Sequence, residues 1–152
     1  VEAMGYIMDG NFSLNVSIWD EPLPNDECSG AIDIEANNET VYGLTLDALV
    51  EMNSSITAGS DYAHGPDVWY RIVGNGTAIV ASLCGETNYD SFIQIFQGDG
   101  ESCDQLFIGE NDDACGSASE VQWFAAQGIT YFIRVCGYYG ARGQFGLTLR
   151  YP

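Results

Sequence analysis

The sequence contains no lysine and only four basic residues, all of them arginine, against 22 acidic residues. The formal net charge is therefore −18. A surface of that sign repels the phosphates of nucleic acids and anionic membrane surfaces, so we expect neither as a partner. The charge favours solubility, calcium-rich surroundings or cationic partners.

Histidine is almost absent too, because His64 is the only one in the chain. A Ser-His-Asp or Cys-His mechanism has to use it, yet no Gly-x-Ser-x-Gly pattern is present. A catalytic zinc usually takes two or more histidines. His64 stands in a loop sequence with Gly65 and Pro66, so we interpret it as a loop residue. The sequence predicts that the chain is not an enzyme.

No apolar run approaches the roughly 18 residues of a membrane-spanning helix, so we expect no membrane span. No basic segment followed by an apolar one marks a signal peptide, and the chain begins at Val1, which suits a leader already removed. The 152 residues are 46% hydrophobic, enough for one domain with a substantial core.

Five Asn-x-Ser/Thr glycosylation acceptors are present, where chance placement gives about one. They are Asn11, Asn15, Asn38, Asn53 and Asn75. This excess predicts N-linked glycans as the covalent groups of the protein and a eukaryotic secretory route to an extracellular location. No cofactor is expected.

Five cysteines are present and none forms a Cys-x-x-Cys pair, which removes the usual zinc and redox motifs. Cys103 and Cys115 bracket a short acidic loop, so we predict a disulfide between them. Cys84 and Cys136 each end a predicted strand and form the second predicted pair. Cys28 is then free or intermolecular.

Alternation of apolar and polar residues dominates the chain from residue 68 onward, and this pattern is typical of β-strands. Apolar residues occupy every second position of 145–151 and 121–123. Residues 131–136 are apolar on both faces, as in a central strand. Gly74-Asn75-Gly76, between two β-rich segments, suggests a hairpin tip. Many short strands with Gly-rich turns predict an all-β fold, a jelly-roll-like antiparallel β-sandwich.

The first twenty residues form a separate pattern, an extended β-strand arm with one apolar and one polar face. The apolar face of its second half comprises Phe12, Leu14, Val16 and Ile18. We predict an arm over 1–20, a Pro-containing linker over 21–24 and a domain over 25–152. The arm is a donor-strand candidate, to be inserted into a neighbouring copy. Two alternatives stay open: a hairpin at Asp9-Gly10, and a first strand within its own domain.

The order of short motifs after residue 25 carries a family resemblance. They are Asn25-Asp26-Glu27-Cys28, Pro66-Asp67-Val68-Trp69-Tyr70, Ser82-Leu83-Cys84-Gly85, Tyr89-Asp90-Ser91-Phe92, Asn111-Asp112-Asp113, Tyr131-Phe132-Ile133-Arg134-Val135 and Gly137-Tyr138. In this order the chain resembles the pre-peptidase C-terminal (PPC)-like domains of secreted proteins. The resemblance implies a jelly-roll-like sandwich without catalysis of its own. Two residues depart from the resemblance. Phe107 stands where such domains often carry cysteine, and Cys136 stands where they usually carry glycine.

Three further clusters have a functional and a structural interpretation. Asp112 and Asp113 are weak calcium candidates in an oxygen-rich loop, although calcium needs six to eight converging ligands and a turn explains them better. Asp67 and Asp90 suit an acid–base pair only if the fold brings them together. Tyr138 and Tyr139 suit a sugar-binding platform or a cover over the end of the sandwich.

Together these patterns predict a secreted glycoprotein subunit whose partners are copies of itself, joined head to tail into extracellular filaments by donor-strand exchange. The alternative is a non-catalytic glycan- or protein-binding module of a larger secreted protein.

Overall fold

The structure, a computed structural model, describes residues 23–48, 63, 65–99, 102–103 and 106–152. The predicted arm at 1–20 lies outside these residues. The described residues form nine strands: β1 (Ile32–Asp33), β2 (Thr40–Leu44), β3 (Val68–Val73), β4 (Thr77–Ser82), β5 (Ser91–Gly98), β6 (Leu106–Asn111), β7 (Glu120–Ala125), β8 (Thr130–Gly137) and β9 (Gln144–Arg150).

The strands make two sheets. One has five strands in the order β1-β3-β8-β5-β6, and the other has four in the order β2-β9-β4-β7. All pairs are antiparallel except β1 with β3, which is parallel over two residues. The prediction of an all-β sandwich is confirmed. No helix in the described part of the chain has the length and apolar character needed to cross a membrane.

The main core lies between the sheets, where the alternating positions meet. Phe145, Leu147 and Leu149 of β9 are 1–2% exposed, and Val121 and Trp123 of β7 are buried. These are the positions that the period-two pattern predicts to face inward. Alternation therefore predicts the buried face of β7 and of β9, two strands of the four-stranded sheet.

Strand β8 lies between β3 and β5, as its two apolar faces predict. One face points into the main core, and the other is covered by a second layer of apolar residues. We call this second layer the outer cluster; it comprises Ala31, Trp69, Phe96, Cys103 and Phe132, with Cys28 and Phe107 packed against it. The Trp69 and Phe96 ring centroids are 5.9 Å apart. The central strands β5 and β8 of the five-stranded sheet are thus buried on both faces.

Beside the outer cluster lies a buried polar network. Arg134, which is 7% exposed, forms an ion pair with Asp67 and donates from Nη1 to Oε1 of Gln94 at 2.9 Å. Gln94 donates onward to Glu110 at 2.9 Å, and Nε1 of Trp69 donates to Asp67 at 3.2 Å. Each of the side chains in this network therefore has a polar partner, which offsets the cost of its desolvation.

The predicted hairpin at Gly74-Asn75-Gly76 is wrong, because β3 and β4 belong to different sheets. The turn crosses from one sheet to the other and pairs with the neighbouring crossing between β7 and β8. Gly74 donates to the Ile129 carbonyl and accepts from Gly128, both at 2.8 Å. A Cβ on Gly74 would lie 2.2 Å from the Ala126 carbonyl oxygen, so only glycine permits this approach.

Both predicted disulfides, Cys103–Cys115 and Cys84–Cys136, are wrong. The structure joins Cys28 to Cys103 and Cys84 to Cys115, each with Cα atoms 6.0 Å apart. Strand β6 lies between Cys103 and Cys115, and its six residues carry the chain about 20 Å away. Cys136 is a buried free thiol on the outer face of β8, whereas Cys84 follows β4 of the other sheet. Closeness in sequence does not bring Cys103 to Cys115, and a position at the end of a strand does not bring Cys84 to Cys136.

Candidate functional site

Among the described residues the sandwich is open along one side, where β1 is only two residues long. A groove of about 390 Å³ lies there between the two sheets. Its lining comes from the chain after β1, the end of β3, the turn before β4 and the end of β9: Asp33, Ile34, Glu35, Ala36, Asn37, Arg71, Ile72, Val73, Asn75, Ile79 and Tyr151. We call it the edge groove. It reaches Ile79, a core residue that is 1% exposed.

The path of the chain after β1 explains why this side stays open. Strand β1 pairs with Tyr70 and Arg71 only, and the Ile34 amide then donates to the Arg71 carbonyl at 3.0 Å. Beyond that point the chain crosses to the four-stranded sheet, where Asn38 donates to Leu149 at 3.0 Å. Within the described ranges no strand therefore lies beside the Val73 end of β3 on this edge.

Apolar side chains remain exposed around the edge groove. Val73 is 60% exposed, Tyr151 51% and Ile32 40%, although Ile32 pairs with the core residue Tyr70. In a sandwich whose sheet edges are all covered, apolar side chains at an edge are buried by a neighbouring strand or loop. The exposed surface at the groove is thus the kind that an apolar strand can bury.

Three charged groups line the groove; two of them, Arg71 and Asp33, neutralise each other, and Glu35 adds one negative charge. Arg71 and Asp33 form a two-pronged ion pair, with Nε to Oδ1 at 2.6 Å and Nη2 to Oδ2 at 2.9 Å. The hydrogen bond from Arg71 lowers the pKa of the Asp33 carboxyl, so the pair stays ionised above acidic pH. The groove consequently suits an uncharged, extended apolar segment better than an ionic ligand.

Two of the five predicted glycosylation acceptors fall in the described residues, and both are exposed at loops near the groove. Asn75 lines it, and Asn38 lines a neighbouring groove that shares Tyr151. Asn11, Asn15 and Asn53 lie outside the described residues. So do the donor-strand residues Phe12, Leu14, Val16 and Ile18, as well as His64.

The two members of the predicted acid–base pair, Asp67 and Asp90, interact with different groups. Asp67 is 2% exposed; burial raises its pKa, and the Arg134 guanidinium opposes that rise. Asp90 is half-buried; partial desolvation raises its pKa, and the charges of Asp113 and Asp112 add to the effect. Asp67 is thus a structural ion-pair partner.

The calcium candidates Asp112 and Asp113 lie near Asp90, but the described residues contain no group of three or more side chains placed to hold a metal ion. The two tyrosines do not form a flat platform. Their rings meet edge-on, 4.6 Å apart and inclined by 77°, and Tyr138 packs against Phe92 and Cys136. Tyr138 therefore covers the end of the sandwich.

Sequence reasoning missed the edge groove and the Arg134 network. A signal for the network existed, because Arg134 is a lone charge within an otherwise apolar central strand and a buried charge needs a partner. For the groove no local signal existed, since it depends on how few residues of β1 pair with β3. Comparisons with family models, with curated proteins and with solved structures find no match to this chain.

Proposed function

We propose that this chain is a secreted glycoprotein subunit that assembles into extracellular filaments by donor-strand exchange. The N-terminal strand Phe12–Ile18 of one copy occupies the edge groove of the next. The observation that carries the proposal is the two-residue length of β1, which leaves the groove open to the core at Ile79. Each copy then carries both a donor strand and an acceptor groove. Head-to-tail donation between copies therefore continues without limit unless the rotation between neighbours closes a ring.

Apolar burial supplies the driving force. The alternating sequence of the proposed donor strand places four apolar residues on one face of an extended chain, and burying each contributes about 1.5–3 kcal/mol. The groove offers Val73 and Tyr151 as partly exposed counterparts, and Ile32 lies beside it. Strand addition also satisfies backbone groups along a sheet edge, so apolar and hydrogen-bonding gains act together.

The extracellular part of the proposal rests on cysteine and asparagine chemistry. The described residues hold two disulfides, which persist in oxidising compartments. Asn38 and Asn75 are exposed and accessible to glycosylation. The PPC-like resemblance is part of the same proposal, because it places such sandwiches in secreted proteins and assigns them no catalysis.

Net charge sets the condition for assembly. Three of the four arginines already pair with acids of their own copy, namely Arg71, Arg134 and Arg150. A net charge of −18 per copy makes neighbouring copies repel one another at low ionic strength. Assembly is therefore to be assayed at or above about 0.15 M salt, where the Debye length falls to about 8 Å.

The test is deletion of Val1–Asp20 followed by return of the strand as a peptide. Full-length protein forms filaments visible by electron microscopy, and the truncated protein stays monomeric by native mass. A synthetic peptide spanning residues 10–20 then binds the truncated protein and blocks growth of full-length filaments. A control peptide with Leu14→Asp and Val16→Asp does neither.

Filaments of unchanged form from the truncated protein would refute the proposal, and so would a full-length protein that stays monomeric at high concentration. A monomer whose edge groove binds peptides or glycans of other proteins would instead establish the binding-module alternative.

A further inference from the structure

Beyond assembly, we propose that the ring of Tyr151 is a docking surface for the sugar linked to Asn75, so that the glycan becomes part of the folded domain. This inference rests on the proposed glycosylation of Asn75 and is independent of strand donation. The ligand class is an Asn-linked pyranose, recognised by one aromatic face and one hydroxyl group.

The Asn75 side chain is held in a single orientation by its own acceptor sequence. Its Oδ1 accepts hydrogen bonds from the Thr77 amide at 3.2 Å and the Thr77 hydroxyl at 2.6 Å. Gly76 between them has φ +84°, a conformation that glycine adopts without strain. The carboxamide oxygen is thus occupied, and the nitrogen that would carry the sugar faces away from Thr77.

That nitrogen points at Tyr151. Nδ2 of Asn75 donates to the Tyr151 hydroxyl at 3.0 Å. An N-glycosidic bond replaces one of the two amide hydrogens and leaves the other, so this hydrogen bond is compatible with modification. The first sugar ring is therefore attached to a nitrogen that lies 3.0 Å from the Tyr151 hydroxyl.

Tyr151 has the exposure that such contact needs. It is 51% exposed, although β9 ends at the preceding residue and fixes its position. The face of an aromatic ring carries negative potential, which attracts the weakly positive C–H groups on one side of a pyranose. The same tyrosine also lines the neighbouring groove that contains Asn38, so it stands between two acceptors.

The test is a double-mutant cycle on the full chain, produced in a glycosylating host. Thr77→Val removes the acceptor sequence at nearly constant volume together with the hydroxyl bond to Asn75, and the backbone amide of residue 77 still holds Oδ1 of Asn75. Tyr151→Ala removes the ring. We expect Tyr151→Ala to lower Tm by about 3 °C when Asn75 is glycosylated and by under about 1 °C in the Thr77→Val background. Sugar protons next to Asn75 shift upfield in NMR spectra, and Tyr151→Ala abolishes that shift.

Tyr42→Ala is the matched control, since Tyr42 is 70% exposed on β2, outside the edge groove. It should give equal Tm changes in both backgrounds. Equal Tm losses for Tyr151→Ala in both backgrounds, with Asn75 shown to be glycosylated by peptide mapping, overturn the docking. An unmodified Asn75 in that map overturns the docking together with the proposed glycosylation. Neither result depends on whether filaments form.

Discussion

The two ends of β3 meet very different surroundings, although Trp69 and Val73 lie on the same face of the strand. Trp69, on its outer face, is 1% exposed beneath the Cys28–Cys103 disulfide, whereas Val73, four residues later, is 60% exposed at the edge groove. Both residues belong to one strand with one β-rich composition. What differs is the covering segment: a cross-linked loop at one end and a two-residue β1 at the other. Burial in this domain is therefore set by the loops laid over the sheets.

The largest expected effect is loss of the cross-link over the outer cluster. Cys28→Ser with Cys103→Ser opens a closed loop of 75 residues, which is expected to lower the free energy of unfolding by about 4.5 kcal/mol. Cys84→Ser with Cys115→Ser, spanning 31 residues, is the matched control at about 3.5 kcal/mol. Denaturant unfolding measures both. A smaller loss for the first pair than for the second would contradict a covering layer held by Cys28–Cys103.

A second contrast compares a buried with an exposed ion pair. Asp67→Ala leaves Arg134 charged and buried, at an expected cost of about 3–5 kcal/mol. Asp33→Ala breaks the pair with Arg71, whose side chains are 34% and 74% exposed, and is expected to cost under about 1 kcal/mol. Chemical denaturation of both variants tests the difference. Similar losses would show that the Arg134 network is as hydrated as the surface pair.

Much of the fold was predictable because the order of apolar and polar residues within a strand indicates which of its faces is buried. The alternation of β9 and β7 and the two apolar faces of β8 each follow from side chains that point to opposite sides every second residue. Which strands become neighbours is not local. The turn at Gly74-Asn75-Gly76 has the composition of a hairpin, yet it joins two sheets because both flanking strands find other partners.

The site was less predictable than the fold. Exposed Asn38 and Asn75 follow from a three-residue motif. Disulfide pairing failed because it depends on where β6 carries the chain between Cys103 and Cys115. The edge groove depends on a register of only two paired residues, Ile32 with Tyr70 and Asp33 with Arg71. No pattern in the sequence specifies that length.

The free thiol provides a third prediction on the covered side of the molecule. Burial raises the pKa of Cys136 to about 12, from a usual value of about 9. The folded state therefore keeps its proton where the unfolded thiol loses it, so this group's contribution is fully present below about pH 9 and falls as pH rises toward 12. The loss approaches roughly 1.4 kcal/mol per pH unit.

Unfolding curves of the unmodified protein and Cys136→Ala between pH 8 and about 10.5 check this, because Cys136→Ala lacks the thiol-dependent part of the slope. A thiol reagent added to native protein at neutral pH should not label Cys136. Fast labelling, or identical pH slopes in the two proteins, would mean that the thiol is accessible to water.

The smallest expected effect lies at the edge groove and uses one residue type in both settings. Val135→Ala removes methyl groups from a position that is 0% exposed and should cost about 2–3 kcal/mol, because the transfer free energy is lost and a cavity is left. Val73→Ala, at 60% exposed, should change the stability of the arm-deleted protein by no more than about 0.5 kcal/mol. If the groove receives a donor strand, Val73 becomes buried only in the filament.

Val73→Ala is then expected to leave the stability of the truncated subunit nearly unchanged but to weaken its binding to the peptide of residues 10–20. Calorimetry measures this affinity. Unchanged peptide affinity would show that Val73 does not contact the peptide and that the acceptor lies at another sheet edge.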